Sequence, residues 1–132
     1  MPGVWRYEDL VVWQLARDLH QEILALTETG SASRDFKFRD QIRDSASSVM
    51  RCVAEGFGRL SDTEFAWFMR TARASLMETD SSLSDGLARG YFSEADTIRL
   101  QRLARRATKA ATRLILYLDP PSATKRPRRN LR

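Results

Sequence analysis

The sequence predicts an all-α protein folded as an antiparallel up-down-up-down four-helix bundle, and three observations carry that reading. Apolar residues recur every three or four positions through four long stretches, the signature of helices with one buried face. The stretches are joined by only a few residues, so consecutive helices must fold back on one another. At Cys52-Val53-Ala54-Glu55-Gly56-Phe57-Gly58-Arg59-Leu60-Ser61 one helical pattern stops and another starts almost at once, as a tight corner requires. A chain of 132 residues, 42% hydrophobic and 30% charged, fits one folded domain with a real core. The bundle is expected over residues 1–119, and residues 120–132 form a basic, disordered tail.

The first helix is expected from about Asp9 to Glu28, with Val12, Trp13, Ala16, Leu19, Ile23 and Leu26 on its apolar side. Thr29-Gly30-Ser31-Ala32-Ser33 ends it. The second runs from about Phe38 to Ala54, with Phe38, Ile42, Ala46, Val49 and Val53 inward; Ser45, Ser47 and Ser48 are small enough to let a neighbouring helix approach. At the corner, Gly56 and Gly58 are suited to the positive φ values that end helices, and Phe57 folds back between them as an apolar plug. Arg59 follows, and Ser61 with Glu64 has the spacing of a reciprocal capping box that opens the third helix.

The third helix should reach about Arg89, with Phe65, Phe68, Met69, Ala72, Leu76, Leu83 and Leu87 inward. Trp67, Ala74 and Met77 fall off that stripe, and form either a widened core or a strip for subunit association. Gly90 closes the helix, and Ser93 with Asp96 opens the fourth, which runs to about Leu118. Its inward set is Leu100, Leu103, Ala107, Ala110, Leu114 and Leu118; a second set, Ala104, Ala111 and Ile115, is assigned to a subunit interface. Asp119-Pro120-Pro121 stops it, because proline disfavours helical geometry in the residue before it.

Charge is divided unevenly along the chain. Residues 1–98 carry 11 basic and 16 acidic side chains, residues 99–118 carry six basic and none acidic, and residues 120–132 carry five basic and none acidic. Arg99, Arg102, Arg106, Lys109 and Arg113 are spaced by three, four, three and four residues, which places them on one stripe of the fourth helix with Arg105 beside it. Like charges at that spacing repel unless an anion lies opposite. Nucleic-acid phosphates are one such anion, with Lys125, Arg126, Arg128 and Arg129 of the tail adding to the contact. Glu78, Asp80 and Asp85, on a neighbouring helix or subunit, are the other.

Catalytic readings find little support. No Glu is followed three residues later by His, so the di-metal bundle motif is missing, and one Cys with one His leaves no structural zinc set. His20 reads as an interfacial or surface residue, and Cys52, at a helix C-terminal end, is not placed for a lowered pKa. Gly56-Phe57-Gly58 follows no strand and so is no phosphate loop. Neither a cofactor, a metal nor an enzymatic activity is expected. No apolar run approaches a membrane span, and the single cysteine suits the reducing cytoplasm.

Particular residues also carry a family resemblance. Leu10-Val11-Val12-Trp13-Gln14-Leu15-Ala16, Gln41-Ile42-Arg43, Ala54-Glu55-Gly56-Phe57-Gly58-Arg59, Ser61, Glu64, Phe65, Phe68, Ala72-Arg73-Ala74-Ser75-Leu76-Met77-Glu78 and Gly90-Tyr91 together resemble the proteins encoded in intervening sequences of bacterial 23S ribosomal RNA genes. Asp44, Met50 and Cys52 depart from that pattern, where Arg, Pro and Asn are usual. The resemblance implies a four-helix protomer assembled as a ring-like homopentameric barrel. It also implies kinship with the accessory variability determinant of diversity-generating retroelements, a basic pentamer that binds nucleic acid and associates with a reverse transcriptase. An oligomeric binding module for RNA or DNA is the function expected, and a homo-oligomeric protein scaffold is the alternative.

Overall fold

The computed structural model describes residues 1–122. A 3-10 turn at Tyr7–Asp9 leads into α1 (Val11–Leu26), a short α2 (Gly30–Arg34), α3 (Phe36–Phe57), α4 (Asp62–Ala88) and α5 (Glu94–Leu118). The four long helices form the bundle: α1 packs on α3 and α5, and α4 packs on the same two from the opposite corner. The periodic residues supply the core. Leu19, Ile23, Ile42, Val49, Val53, Met69, Leu76, Leu83 and Leu100 are fully buried, each worth about 1.5–3 kcal/mol by removal from water.

Small residues bring α3 and α4 together. Ser45 Oγ lies 2.9 Å from Thr79 Oγ1 and Ser48 Oγ 3.0 Å from Ser75 Oγ, so the close approach is hydrogen-bonded across the seam. Ser47 takes no part in it and bonds Arg51 on the surface. Each long helix after the first has its cap: Asp35 Oδ1 accepts from the Phe38 N–H at 3.2 Å, Ser61 Oγ from Glu64 at 3.1 Å and Ser93 Oγ from Asp96 at 3.1 Å. Asp35 also ties the two loops at that end of the bundle, accepting from the Tyr91 hydroxyl at 2.6 Å and from Arg89 at 3.3 Å.

Several expectations need correction. The Thr29 to Ser33 stretch is not merely a terminator, because Gly30 at φ +73° turns the chain into the one-turn α2. Neither corner glycine uses a positive φ: Gly56 is helical and Gly58 sits at φ −76°. What Gly56 provides is room, since an added Cβ would lie 2.8 Å from Phe68 Cβ and 2.9 Å from Phe65 Cδ1. Phe57 does fold back, its ring meeting Phe65 edge-on at 6.1 Å. Of the capping box only the Ser61 half is formed among the described residues.

On α4, Leu87 is exposed, and Gly86 occupies the buried position because the Phe92 ring comes within 2.4 Å of where its Cβ would be. On α5 the core draws on both apolar sets. Ala104 and Ala111, assigned to a subunit interface, lie in the protomer's own core with Leu100, Ala107 and Leu118, whereas Leu103, Ala110 and Leu114 are half-buried beside it. Their small side chains let α5 settle onto the bundle, and the leucines fill its edge. Ile115 is half-buried against the same core, with part of its side chain still on the surface.

Candidate nucleic-acid interface

The 25 residues of α5 place the basic side chains outward by the same periodicity that buries its alanines. Arg102, Arg105, Arg106, Lys109 and Arg113 are all exposed, and none of them makes an ion pair with a described residue. The sixth cation of the set differs. Arg99 pairs with Glu22 of α1 and, at 3.0 Å, with Asp96 one turn earlier on its own helix, and these carboxylates hold its pKa above the ordinary arginine value. Lys125, Arg126, Arg128 and Arg129 lie outside the described residues.

The proposed protein counter-charges do not reach this ridge within the protomer. Asp85 pairs with Arg89 at 3.0 Å, and Asp80 lies in the α4–α5 seam, where its backbone carbonyl accepts from Gln101 Nε2 at 3.3 Å. Glu78 is exposed on α4. Beside the ridge on the α1 side runs an open trough. One part, of about 560 Å³, is lined by Ile98, Arg99, Arg102, Leu103 and Arg106; the adjoining part is lined by Asp18, Gln21, Glu22 and Leu103. Further down, Val11, Leu114 and Tyr117 line an apolar groove of about 340 Å³ at the end where the chain leaves α5.

Sequence reasoning missed Arg73. Its Nε donates to Thr112 Oγ1 at 3.0 Å, which holds a guanidinium from α4 against α5. The signal available was only that Arg73 sits between the inward Ala72 and Leu76, at the edge of the stripe.

The other singled-out residues have structural settings. At the corner, the Arg59 guanidinium lies over the Phe68 ring at 4.7 Å, while Glu55, Gly58 and Glu64 bound the turn. Trp67 and Met77 are 59% and 42% exposed, and Ala74 is exposed between them, so this strip widens no core. His20 is half-buried in the α1–α3 groove, where burial first, then Arg43 and Arg51, lowers its pKa. Burial likewise pushes the Cys52 thiol up. No group of His, Cys, Asp and Glu able to hold a metal occurs among the described residues, and no helix among them is long and apolar enough to cross a membrane.

Fold and surface together define a small helical bundle with a cationic ridge along one outward helix face. Residues 8–113 match the 23S rRNA-intervening sequence protein family, and the chain belongs to that family. No curated protein matches the chain.

Proposed function

We propose that this protein is a non-catalytic, oligomeric RNA-binding module in which the outward face of α5, with the basic C-terminal residues, contacts the phosphate backbone of structured RNA or of an RNA–protein complex. The observation that carries the reading is the row of five exposed cations without ion-pair partners among the described residues. Like charges three and four residues apart on a helix repel by a few tenths of a kcal/mol per pair, a cost that a bound polyanion reverses. The family's description places its genes within those of 23S rRNA, a gene location that makes RNA the first polyanion to test.

Filter binding of the full chain to structured RNA over a salt series tests it. Affinity is expected to fall steeply with salt and to collapse when Arg102, Arg106 and Lys109 are all changed to Glu. Full RNA retention by that triple variant sinks the reading.

The exposed strip Trp67, Ala74 and Met77 on α4 favours a second reading, a homo-oligomeric scaffold. In this version α5 cations face α4 acids such as Glu78 of the next subunit, and the family resemblance suggests five subunits. The same triple change then dissociates the assembly, as light scattering reads directly; an assembly of unchanged mass rules this version out.

A further inference from the structure

We propose that the RNA track is displaced toward the α4–α5 seam, recruiting Arg73 of α4 and excluding Arg99, which the acids of α1 and of its own first turn withhold from it. This rests on the reading of the α5 ridge as the RNA-binding face.

The two ends of the ridge have different neighbours. Around Arg99 the charge is already balanced: Glu22 reaches it from α1, Asp96 from the preceding turn, and Asp18 lines the same trough as Glu22. On the other side of this end, Asp80 occupies the α4–α5 seam. A phosphate approaching here meets the carboxylates of Glu22, Asp96 and Asp18 around the one arginine. Asp18 is in part offset by Arg17, at 3.1 Å, but Glu22 has no partner other than Arg99 among the described ion pairs.

Lower on α5 the flank changes sign. Arg105 falls on the row Gln101, Thr108, Thr112 that meets α4, because these residues are three or four apart. Arg73 is anchored on Thr112 in that row through Nε, and among the described residues no carboxylate pairs with its remaining N–H groups. Arg70, one turn earlier on α4, is not equivalent, being paired with Asp119 at 2.6 Å. The positive surface therefore runs from Arg102 to Arg113 along α5 and widens onto α4 at Arg73. From Arg102 to Arg113 it spans about 16 Å at the helical rise.

The test uses the full chain and an RNA duplex of about 20 base pairs, with affinity measured against salt concentration. Changing Arg73 to Gln is expected to lower the slope of log affinity against log salt by about 0.7–0.9, the value of one phosphate contact, so that the fall in affinity between 50 and 200 mM salt is about threefold smaller than the parent's, with the variant the weaker binder at the low-salt end. Changing Arg99 to Gln leaves slope and affinity as they were. Thr112→Val removes the anchoring hydrogen bond and keeps the charge, so it retains the slope, which separates a phosphate contact from a packing role. An Arg73→Gln variant that binds like the parent, or an Arg99→Gln variant that loses a full contact, overturns the inference while leaving the ridge intact. Failure of the parent protein to bind the duplex, or undiminished binding by the triple α5 variant, removes the underlying reading instead.

Discussion

Gly56 of α3 faces Phe68 of α4 so closely that a β-carbon added to the glycine would lie 2.8 Å from Phe68 Cβ. The contact holds the corner between the two helices shut, and the atom approached is the root of a side chain, which moves only if the helix does. Gly56→Ala is therefore expected to destabilise the protein by about 1–3 kcal/mol, the cost of overpacking, despite alanine's better helix propensity. Gly58, two residues on, has only Glu55 O at 3.5 Å and Ala54 O at 3.7 Å near such an atom and sits at an ordinary φ, so Gly58→Ala should be neutral or stabilising by up to about 1 kcal/mol. Urea denaturation of both variants gives opposite shifts if the corner works by proximity, and equal shifts if it needs glycine's backbone freedom at both positions.

The α3–α4 hydroxyl pair should be forgiving. Ser45 Oγ lies 3.1 Å from the Ile42 carbonyl and Thr79 Oγ1 2.8 Å from the Ser75 carbonyl, so each hydroxyl has a backbone acceptor within reach besides its partner, and the two protons serve two of these three contacts at a time. Removing one hydroxyl leaves the other satisfied, so Ser45→Ala is expected to cost only about 0.5–1.5 kcal/mol. Ser45→Val, which adds bulk where the helices meet, should cost more, through overpacking. The ordering of the two denaturation midpoints decides whether the seam depends on space or on the hydrogen bond.

Stability should vary with pH in two separate windows. The His20 pKa is lowered in the folded protein by burial and by Arg43 and Arg51, so the unfolded chain binds a proton more readily. That contribution is present above the ordinary histidine value of about 6.5 and is lost as pH falls through the lower folded value. Asp35 is shifted down by the Tyr91 hydroxyl first, then by the Phe38 N–H, with Arg89 adding to it. Its contribution is present above the ordinary carboxylate value of about 3.9 and is lost as pH falls below that. His20→Gln should flatten the first limb alone and Asp35→Asn the second alone, as read from unfolding free energy against pH.

How much of this was legible in the sequence depends on what each residue's position records. Periodicity places Phe38, Ile42, Ala46, Val49 and Val53 in the core without error, because three-four spacing and burial are the same fact on a regular helix. On α5, where leucines and alanines share the apolar arc, it places Leu100, Ala107 and Leu118 rightly and misses the rest. There the closest approach selects Ala104 and Ala111 and pushes Leu103 and Leu114 to the edge, a choice made by the neighbouring helix rather than by hydrophobicity. The basic stripe was readable as a row, but not its inequality: the Glu22 partner of Arg99 is 77 positions away in the chain, and Arg73 meets Thr112 across 39. Contacts at such separations follow from the packing of whole helices and leave no local trace.

Trp67 offers the sharpest test of assembly. Its indole is more than half exposed, packed only edge-on against Phe68 at 5.0 Å, and Met77 continues the strip along α4. A substitution here changes the surface with little effect on the core, so Trp67→Glu with Met77→Glu should leave helicity intact and shift the midpoint by less than about 1 kcal/mol. If the strip joins subunits, two charges placed in it are unpaired and desolvated on association, and light scattering should show the mass falling to that of a monomer. The triple change of Arg102, Arg106 and Lys109 should leave that mass untouched, because the RNA track and the α4 strip are then separate faces. Retention of the assembled mass by the α4 double variant rules out the strip as the subunit contact, and loss of mass in the α5 variant instead assigns the cations to the interface.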